Sequence, residues 1–293
     1  MNQFGIRPME VEDLDHALRL STIAGWNQQL DDWRMLLRLA PAGAFAAVAD
    51  ARIVGTAIGI DYGGFAWIAM MLVDPADRGR GVGRRLLDAA MGAVPPSRPI
   101  RLDATSLGRP LYEKCGFEDE ATLSRLIANR SSAGTSVSEI RGGSSDVRPL
   151  TPSDLETVIE RDRDVFGGTR GAVLEWAFHS AAEYAYVVRR DGVIHYCLGR
   201  HGRLFDQIGP VVASRDDIAQ ALVDAALAAA GDRPVVVDAF DSRRAFAAWL
   251  GNRGFVVQRR LVRMCRPAES GSCAIGAGEG PLAEFAILGP EFA

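Results

Sequence analysis

A loop with three spaced glycines and three arginines is the feature of this sequence best suited to chemistry. It follows an apolar, strand-like run, precedes an amphipathic, helix-like run, and reads Arg78-Gly79-Arg80-Gly81-Val82-Gly83-Arg84. Backbone N–H groups at a helix start lack intrahelical acceptors and carry partial positive charge, so they bind phosphate groups. Glycines allow a close approach, and arginines add charge-assisted hydrogen bonds. The loop therefore predicts a site for a diphosphate or a 3′-phosphate.

The spacing excludes the two commonest nucleotide-binding loops. No Lys-Ser or Lys-Thr pair follows the glycines, as a P-loop requires, and Gly-x-Gly-x-Gly lacks the interval of a dinucleotide fingerprint. The simplest alternative is an ordinary glycine-rich turn. The flanking residues argue against it, because Leu72-Val73, Asp74-Pro75 and Leu86-Leu87 accompany the glycines in one continuous order.

This combination resembles the coenzyme A loop of the GCN5-related N-acetyltransferases, the GNAT superfamily. The resemblance implies an acetyl-CoA cosubstrate whose pyrophosphate is held by Arg78, Gly79, Arg80, Gly81, Val82, Gly83 and Arg84. It also implies that the pantetheine arm pairs with the strand before the loop, through the backbone of Met71, Leu72 and Val73. A second family motif follows as Leu111-Tyr112-Glu113-Lys114-Cys115-Gly116-Phe117. In that family the motif's tyrosine is frequently the general acid that protonates the departing thiolate.

The chemistry of acyl transfer assigns roles to two side chains. A phenol with a pKa above that of the leaving thiol can protonate the sulfur, so we expect Tyr112 to be the catalytic acid. The structural alternative is that its ring packs on a helix face. Asp103, at the end of a predicted strand, is a candidate general base that acts through water on the incoming ammonium. Because Asp238 occupies the matching place later in the chain, a structural role for Asp103 stays equally open.

Trp26 and Asn27 are the candidate acceptor-binding residues, because the resemblance puts their segment over the active site. An indole, an amide and the nearby carboxylates of Asp31 and Asp32 suit a cationic amine. The alternative is a core role for Trp26 and Trp33 at helical spacing, with solvated aspartates.

The chain contains two ordered copies of one pattern. Ile6-Arg7-Pro8 with Asp13 is echoed by Val147-Arg148-Pro149 with Asp154, and Gly116-Phe117 is echoed by Gly254-Phe255. We predict four regions, which are a GNAT acetyltransferase domain over 1–130, a linker over 131–146, a degenerate GNAT-like domain over 147–266 and a C-terminal tail over 267–293.

The predicted fold class is α/β (α+β), with two tandem GNAT-like domains, each a mixed, mostly antiparallel sheet flanked by helices. In the first copy, 44–49 and 52–60 predict a hairpin, 65–73 a longer strand, 80–94 a helix and 100–104 another strand. The apolar run 284–289 in the tail needs a surface to cover it, and either domain could provide one.

The second copy keeps this framework and lacks the chemistry. Between Val212 and Leu222, where the loop would lie, the chain has no glycine and places Asp216 and Asp217 at the expected helix start. Two carboxylates there repel a diphosphate and cap the helix themselves. Leu250 stands in the place of Tyr112. We therefore expect one coenzyme A site per chain, and a second domain that completes the acceptor pocket, covers a sheet edge or forms a homodimer.

Composition excludes other classes. With 48% hydrophobic and 24% charged residues the chain can bury a core, and its net charge of -4 disfavours nucleic acid and anionic membranes as partners. No targeting segment and no apolar run of about 20 residues is present, so we expect a cytoplasmic location. The four cysteines lack the paired spacing of zinc sites, so we expect free thiols and no metal.

These features predict an acetyl-CoA-dependent N-acetyltransferase that acts on a primary amine by direct attack in a ternary complex. The acceptor is a small-molecule or peptide amine, and the sequence leaves its identity open. The alternative is a non-catalytic acyl-CoA-binding sensor or scaffold module, in which the loop binds coenzyme A without turnover.

Overall fold

The structure is a computed structural model that describes residues 4–129, 146–190, 192–269, 271, 273 and 282–293. The chain divides into two compact units. Unit 1 comprises Met1–Asp119 and Met264–Ile275, and unit 2 comprises Glu120–Arg263 and Gly276–Ala293. The predicted linker, 131–146, lies outside the described residues except for its last position.

Unit 1 contains a mixed sheet in the order β1-β2-β3-β4-β5, in which β1 to β4 are antiparallel neighbours and β5 is parallel to β4. Its elements are β1 (Gly5–Pro8), a 3-10 turn (Val11–Asp13), α1 (Leu14–Ile23), α2 (Leu30–Leu39), β2 (Ala44–Ala49), β3 (Arg52–Asp61), β4 (Ala66–Val73), a second 3-10 turn (Pro75–Asp77), α3 (Val82–Gly92), β5 (Ile100–Ala104) and α4 (Arg109–Glu113). The predicted hairpin, long strand, helix and final strand of the first copy are confirmed.

Helix α3 lies close to β3 because two glycines leave room for it. A Cβ atom on Gly59 would stand 2.5 Å from the Ala90 carbonyl oxygen, and one on Gly55 would stand 2.8 Å from a Leu86 methyl carbon. The apolar face of α3, including Leu86 and Leu87, is completely buried. This packing fixes the start of α3, and with it the preceding loop, against the sheet.

Unit 2 contains a sheet in the order β6-β11-β13-β10-β9-β8-β7, with β12 beside β6. Its elements are β6 (Glu118–Ala128), β7 (Arg148–Pro149), α5 (Pro152–Phe166), α6 (Gly171–Ser180), a 3-10 turn (Ala182–Tyr184), β8 (Tyr186–Arg190), β9 (Val193–Arg200), β10 (Asp206–Ala213), α7 (Asp216–Ala229), β11 (Val235–Phe240), α8 (Arg244–Asn252), β12 (Val256–Arg266) and β13 (Ala283–Ile287). Strands β10 and β11 are parallel where they meet, whereas the neighbours from β6 to β7 in this order pair antiparallel. The predicted mixed, mostly antiparallel α/β fold is confirmed.

The sequence repeat reappears as one ion pair in each unit. Arg7 donates hydrogen bonds of 2.6 and 2.8 Å to Asp13, and Arg148 donates two of 2.7 Å to Asp154. Each aspartate also accepts the backbone N–H three residues before it, from Glu10 or Thr151. The shared motif therefore fixes the turn from the first strand into the first helix.

The expectation of four free thiols is wrong for two cysteines. Cys265 and Cys273 form a disulfide, whereas Cys115 and Cys197 are free. A separation of eight residues has no sequence signature, because only the folded chain brings the two Cα atoms to 6.1 Å. In the described ranges, no helix has both the length and the hydropathy needed to cross a membrane.

Candidate active site

Strands β4 and β5 begin side by side and then separate. Their pairing joins Ala66 to Ile100 and Trp67 to Arg101, and among the described residues it goes no further. On its other edge β4 stays paired with β3 as far as Val73. Among the described residues, the backbone of 71–73 therefore has one edge without a strand partner, and the resemblance implies that the pantetheine arm pairs there.

A bulge interrupts β4 immediately before that edge. The register between β3 and β4 shifts between Thr56 and Ile58, and Met70 has a φ of 51°, in the left-handed region that non-glycine residues rarely adopt. The buried Thr56 hydroxyl donates to the Met70 carbonyl at 2.8 Å. This bond fixes the peptide that links Met70 to Met71, and so aims the Met71 N–H.

The glycine loop has the backbone geometry of an anion site. Gly79 and Gly81 have φ of 74° and 82°, and Gly81 is the N-cap of α3. None of the amides of Gly81, Val82, Gly83 and Arg84 donates to any residue that the structure describes. Four unsatisfied donors at one helix start, with no acidic residue in the first turn, favour a bound anion.

Each loop arginine is held by a group of unit 1. Arg78 donates through Nε to the Val73 carbonyl at 3.2 Å, Arg80 lies 2.5 Å from Asp77, and Arg84 lies 2.9 Å from Asp88. The side chains of Arg80 and Arg84 are nevertheless 33% and 52% exposed. The loop therefore presents positive charge to solvent from restrained positions.

Tyr112 is buried on α4 next to this loop. Its ring lies over Gly108, where a Cβ atom would stand 2.9 Å from the ring, and meets Phe117 edge-on at 5.9 Å. A Cβ atom on Gly83 would stand 3.5 Å from Leu111 and 3.6 Å from Val73, so the start of α3 lies against both α4 and the end of β4.

The Tyr112 hydroxyl makes no hydrogen bond to the described part of the chain. Burial raises the pKa of Tyr112 well above that of a free phenol, with a smaller contribution from Cys115. The phenol is therefore protonated at every physiological pH and available to donate.

The predicted acceptor-binding residues lie in the loop between α1 and α2. Asn27 is buried and Trp26 is half-buried. The alternative, with Trp26 and Trp33 on one helix face, is wrong, because Trp26 precedes α2 and only Trp33 is a fully buried helical residue. Helix α1 packs on β3 and β4, so this loop belongs to the layer that covers those strands.

The two neighbouring aspartates stabilise α2. Asp32 is buried and accepts the backbone N–H of Gln29 at 2.6 Å, whereas the exposed Asp31 pairs with Arg34. A direct role for either one toward an amine is therefore not needed to explain its presence.

Gln28 was missed by the sequence reasoning. Its side chain is 5% exposed, and its Oε1 is buried without a hydrogen-bond partner in the described structure. A buried acceptor without a donor costs free energy, so it indicates a place for a donor that the described residues do not supply. No sequence signal could have revealed it, because burial depends on the tertiary packing.

Asp103 is half-buried on β5, beyond the point where that strand leaves β4. Its counterpart Asp238 is completely buried. The Asp238 carboxylate accepts hydrogen bonds of 2.7 and 2.5 Å from Arg125 and a third of 2.7 Å from Gln207. Asp238 is therefore structural, while the role of Asp103 as a base stays a prediction.

Unit 2 repeats the separation of strands and fills it. Strands β10 and β11 pair only at Asp206–Val235 and Gln207–Val236 in the described residues, and β13 then lies between them. It pairs with Val211 to Ala213 on one side and with Asp238 and Ala239 on the other. The apolar run at the end of the chain thus forms a strand in the gap that, in unit 1, borders Met71 to Val73.

Two further changes remove the donors in unit 2. Pro210, which has no N–H, stands at the position matching Met71, and Leu250 stands at that of Tyr112. At the start of α7, Arg215 and then the backbone N–H groups of Asp217 and Ile218 lower the pKa of Asp217. Two carboxylates, Asp216 and Asp217, stand in the first turn of this helix, where they repel an anion.

Comparisons with known proteins find a GNAT domain in each half of the chain. A family model described as "Acetyltransferase (GNAT) domain" matches residues 41–119, and a second with the same description matches residues 158–272. The chain is 26% identical over 178 residues to the uncharacterized N-acetyltransferase YitH of Bacillus subtilis, a match that covers 60% of this chain and 61% of YitH. The chain thus spans less than two thirds of that relative.

Two other proteins are similar over most of the chain. A holothin acyltransferase of Pseudoalteromonas is 24% identical over 266 residues, or 90% of this chain and 88% of that protein. A solved tandem GNAT protein from the clavulanic acid biosynthesis pathway has a TM-score of 0.66 at 16% identity, covers 92% of this chain and 100% of its own, and shows a shared fold. The chain therefore belongs to the GCN5-related N-acetyltransferase superfamily and carries two GNAT domains in tandem.

Proposed function

We propose that unit 1 is an acetyl-CoA-dependent N-acetyltransferase that acts on a primary amine, and that it holds the one coenzyme A site of the chain. The observation that carries the proposal is the gap between β4 and β5, with unsatisfied helix amides at one end and a buried tyrosine beside it. The similarity to an acyltransferase over most of the chain supports acyl transfer.

The loop residues fit the phosphates of coenzyme A. The amides from Gly81 to Arg84 would donate to the pyrophosphate, with charge from Arg78, Arg80 and Arg84, and left-handed glycines keep side chains out of the way. The free edge of Met71, Leu72 and Val73 would pair with the amides of the pantetheine arm. The Met71 N–H, aimed by the bulge, would polarise the thioester carbonyl.

Tyr112 would complete the reaction. Bound acetyl-CoA supplies a thioester, which an amine attacks directly in a ternary complex. Tyr112 keeps its proton because of its raised pKa and gives it to the sulfur as the carbon–sulfur bond breaks. Asp103, on the diverging part of β5, would remove a proton from the incoming ammonium through water.

The loop between α1 and α2 would receive the amine. Trp26 offers a ring face, Asn27 an amide and Gln28 an acceptor without a donor, and together these suit a cationic amine. The acceptor is a small molecule or a peptide, and the fold does not choose between them.

The decisive experiment is a thiol-release screen with acetyl-CoA and a panel of amines, alongside calorimetric titration of acetyl-CoA. We expect release with at least one amine and one bound acetyl-CoA per chain. A double Arg78→Ala, Arg80→Ala variant should bind acetyl-CoA about tenfold or more weakly, and equal affinity would contradict the phosphate site. Binding without release across the panel would favour the sensor alternative, and a stoichiometry of two would contradict the single site.

A further inference from the structure

Arg259 on β12 is a largely buried cation that has no partner among the described residues. Its Nε is buried without an acceptor, and the side chain makes no hydrogen bond or ion pair with any residue that the structure describes. Its terminal nitrogens are not among the buried unsatisfied atoms, and the residue as a whole is partly exposed. A solute can therefore reach the end of the guanidinium.

Two carboxylates raise the pKa of Arg259 through their charge, Asp238 and Glu291, and each is paired with another arginine. Asp238 accepts two hydrogen bonds from Arg125 and one from Gln207, and Glu291 pairs with Arg200. Because Asp238 and Glu291 are each matched by one guanidinium, Arg259 leaves this group of unit 2 with one uncompensated positive charge.

The lowered pKa of Arg259 agrees with one uncompensated positive charge in this group. Burial, and then the neighbouring Arg125, lower the pKa of Arg259 to about 10, while Asp238 and Glu291 only partly oppose them. Leu261, two residues along the same strand and so on the same face, packs with Leu123 and Ile287. An apolar residue at position 259 would suit this face, so a charge there costs stability that a bound anion would recover.

We propose that Arg259 is the anchor of a binding site in unit 2 for a small molecule with a carboxylate group. The two terminal nitrogens of an arginine match the two oxygens of a carboxylate. A single negative charge balances the excess, whereas a doubly charged phosphate would add repulsion from Asp238 and Glu291. Arg259 belongs to unit 2, whereas the coenzyme A loop belongs to unit 1.

The test compares Arg259→Met with Arg260→Met in the full chain. Arg260 is the adjacent residue, has a side chain that is 75% exposed and lies 3.9 Å from Asp241, so it controls for the loss of one surface charge. Without added anions, Arg259→Met should melt about 2–4 °C above the wild type, because it removes an uncompensated charge. Arg260→Met should melt near the wild type.

The Tm of each protein is then measured in sodium acetate, hexanoate or benzoate and compared with its Tm in sodium chloride at equal ionic strength. Inorganic phosphate is tested in the same way. At least one carboxylate should raise the Tm of the wild type and of Arg260→Met by about 2 °C or more, and leave Arg259→Met unchanged. Equal shifts in Arg259→Met, no shift with any carboxylate, or a larger shift with phosphate would overturn the proposal.

Discussion

Arg80 Nη1 lies 2.5 Å from Oδ1 of Asp77, a carboxylate that is 3% exposed. The other oxygen of Asp77 accepts a hydrogen bond of 2.8 Å from Arg52. Asp77 ends the short turn between β4 and the glycine loop, so one buried carboxylate links Arg80 of the loop to Arg52 at the start of β3. We infer that Asp77 positions Arg80 before a phosphate arrives.

Replacing Asp77 with asparagine should weaken acetyl-CoA binding. The variant removes the charge that restrains Arg80 and Arg52, at a cost of about 1–2 kcal/mol, and so raises the Kd about five- to thirtyfold. Calorimetric titration of each variant with acetyl-CoA measures the Kd. Asp31→Asn is the matched control, because Asp31 and Arg34 form an ion pair with the same spacing on the exposed face of α2. An unchanged Kd in Asp77→Asn would show that Arg80 needs no such support.

Replacing Tyr112 with phenylalanine should lower kcat about a hundredfold and leave the Kd for acetyl-CoA nearly unchanged. Because the pKa of Tyr112 is raised, the phenol stays protonated below pH 10, and the wild-type rate should show no alkaline decline that depends on Tyr112. The pH dependence of thiol release measures both effects. A full-rate variant would remove Tyr112 from the mechanism.

Replacing Thr56 with valine should destabilise the β4 bulge, because it leaves the buried Met70 carbonyl without its donor. The expected loss is about 1–3 kcal/mol of unfolding free energy, with a fall in kcat because the Met71 N–H is no longer aimed. Thr56→Ser keeps the hydroxyl and should recover most of kcat. If valine and serine variants turn over equally, the bulge does not depend on this bond.

The Arg148–Asp154 pair should contribute stability that acid removes. Its hydrogen bonds from Arg148 lower the pKa of Asp154 below that of an unfolded aspartate. The contribution is therefore complete above a pH of about 4 and is lost as the pH falls toward the folded value. Arg148→Met should cost about 1–2 kcal/mol at pH 7 and clearly less at pH 3, as measured by urea unfolding.

Arg34→Met is the control for that measurement, because its ion pair with Asp31 is exposed on both sides. It should change the unfolding free energy by less than about 0.5 kcal/mol at either pH. An Arg148→Met variant with the same small cost would show that the repeated pair does not stabilise the strand-to-helix turn.

The sequence alone determined the framework and the position of its loop. Glycines at 79 and 81, the apolar periodicity of α3 and the repeated Arg–Asp motif are local patterns, and local patterns fix strands, helix starts and turns. The absence of glycine between Val212 and Leu222 is a local pattern of the same kind, and it distinguishes the second copy from the first.

Only the tertiary structure decided what surrounds that loop. The separation of β4 from β5, the entry of β13 between β10 and β11 and the disulfide between Cys265 and Cys273 all depend on the tertiary fold. So does the lack of a partner, among the described residues, for Gln28 Oε1 and Arg259 Nε. Periodicity states which face of an element is apolar, but it does not state which element covers that face or which charge is left without a partner. For that reason the loop was predictable from its residues, and the filled gap of the second copy was not.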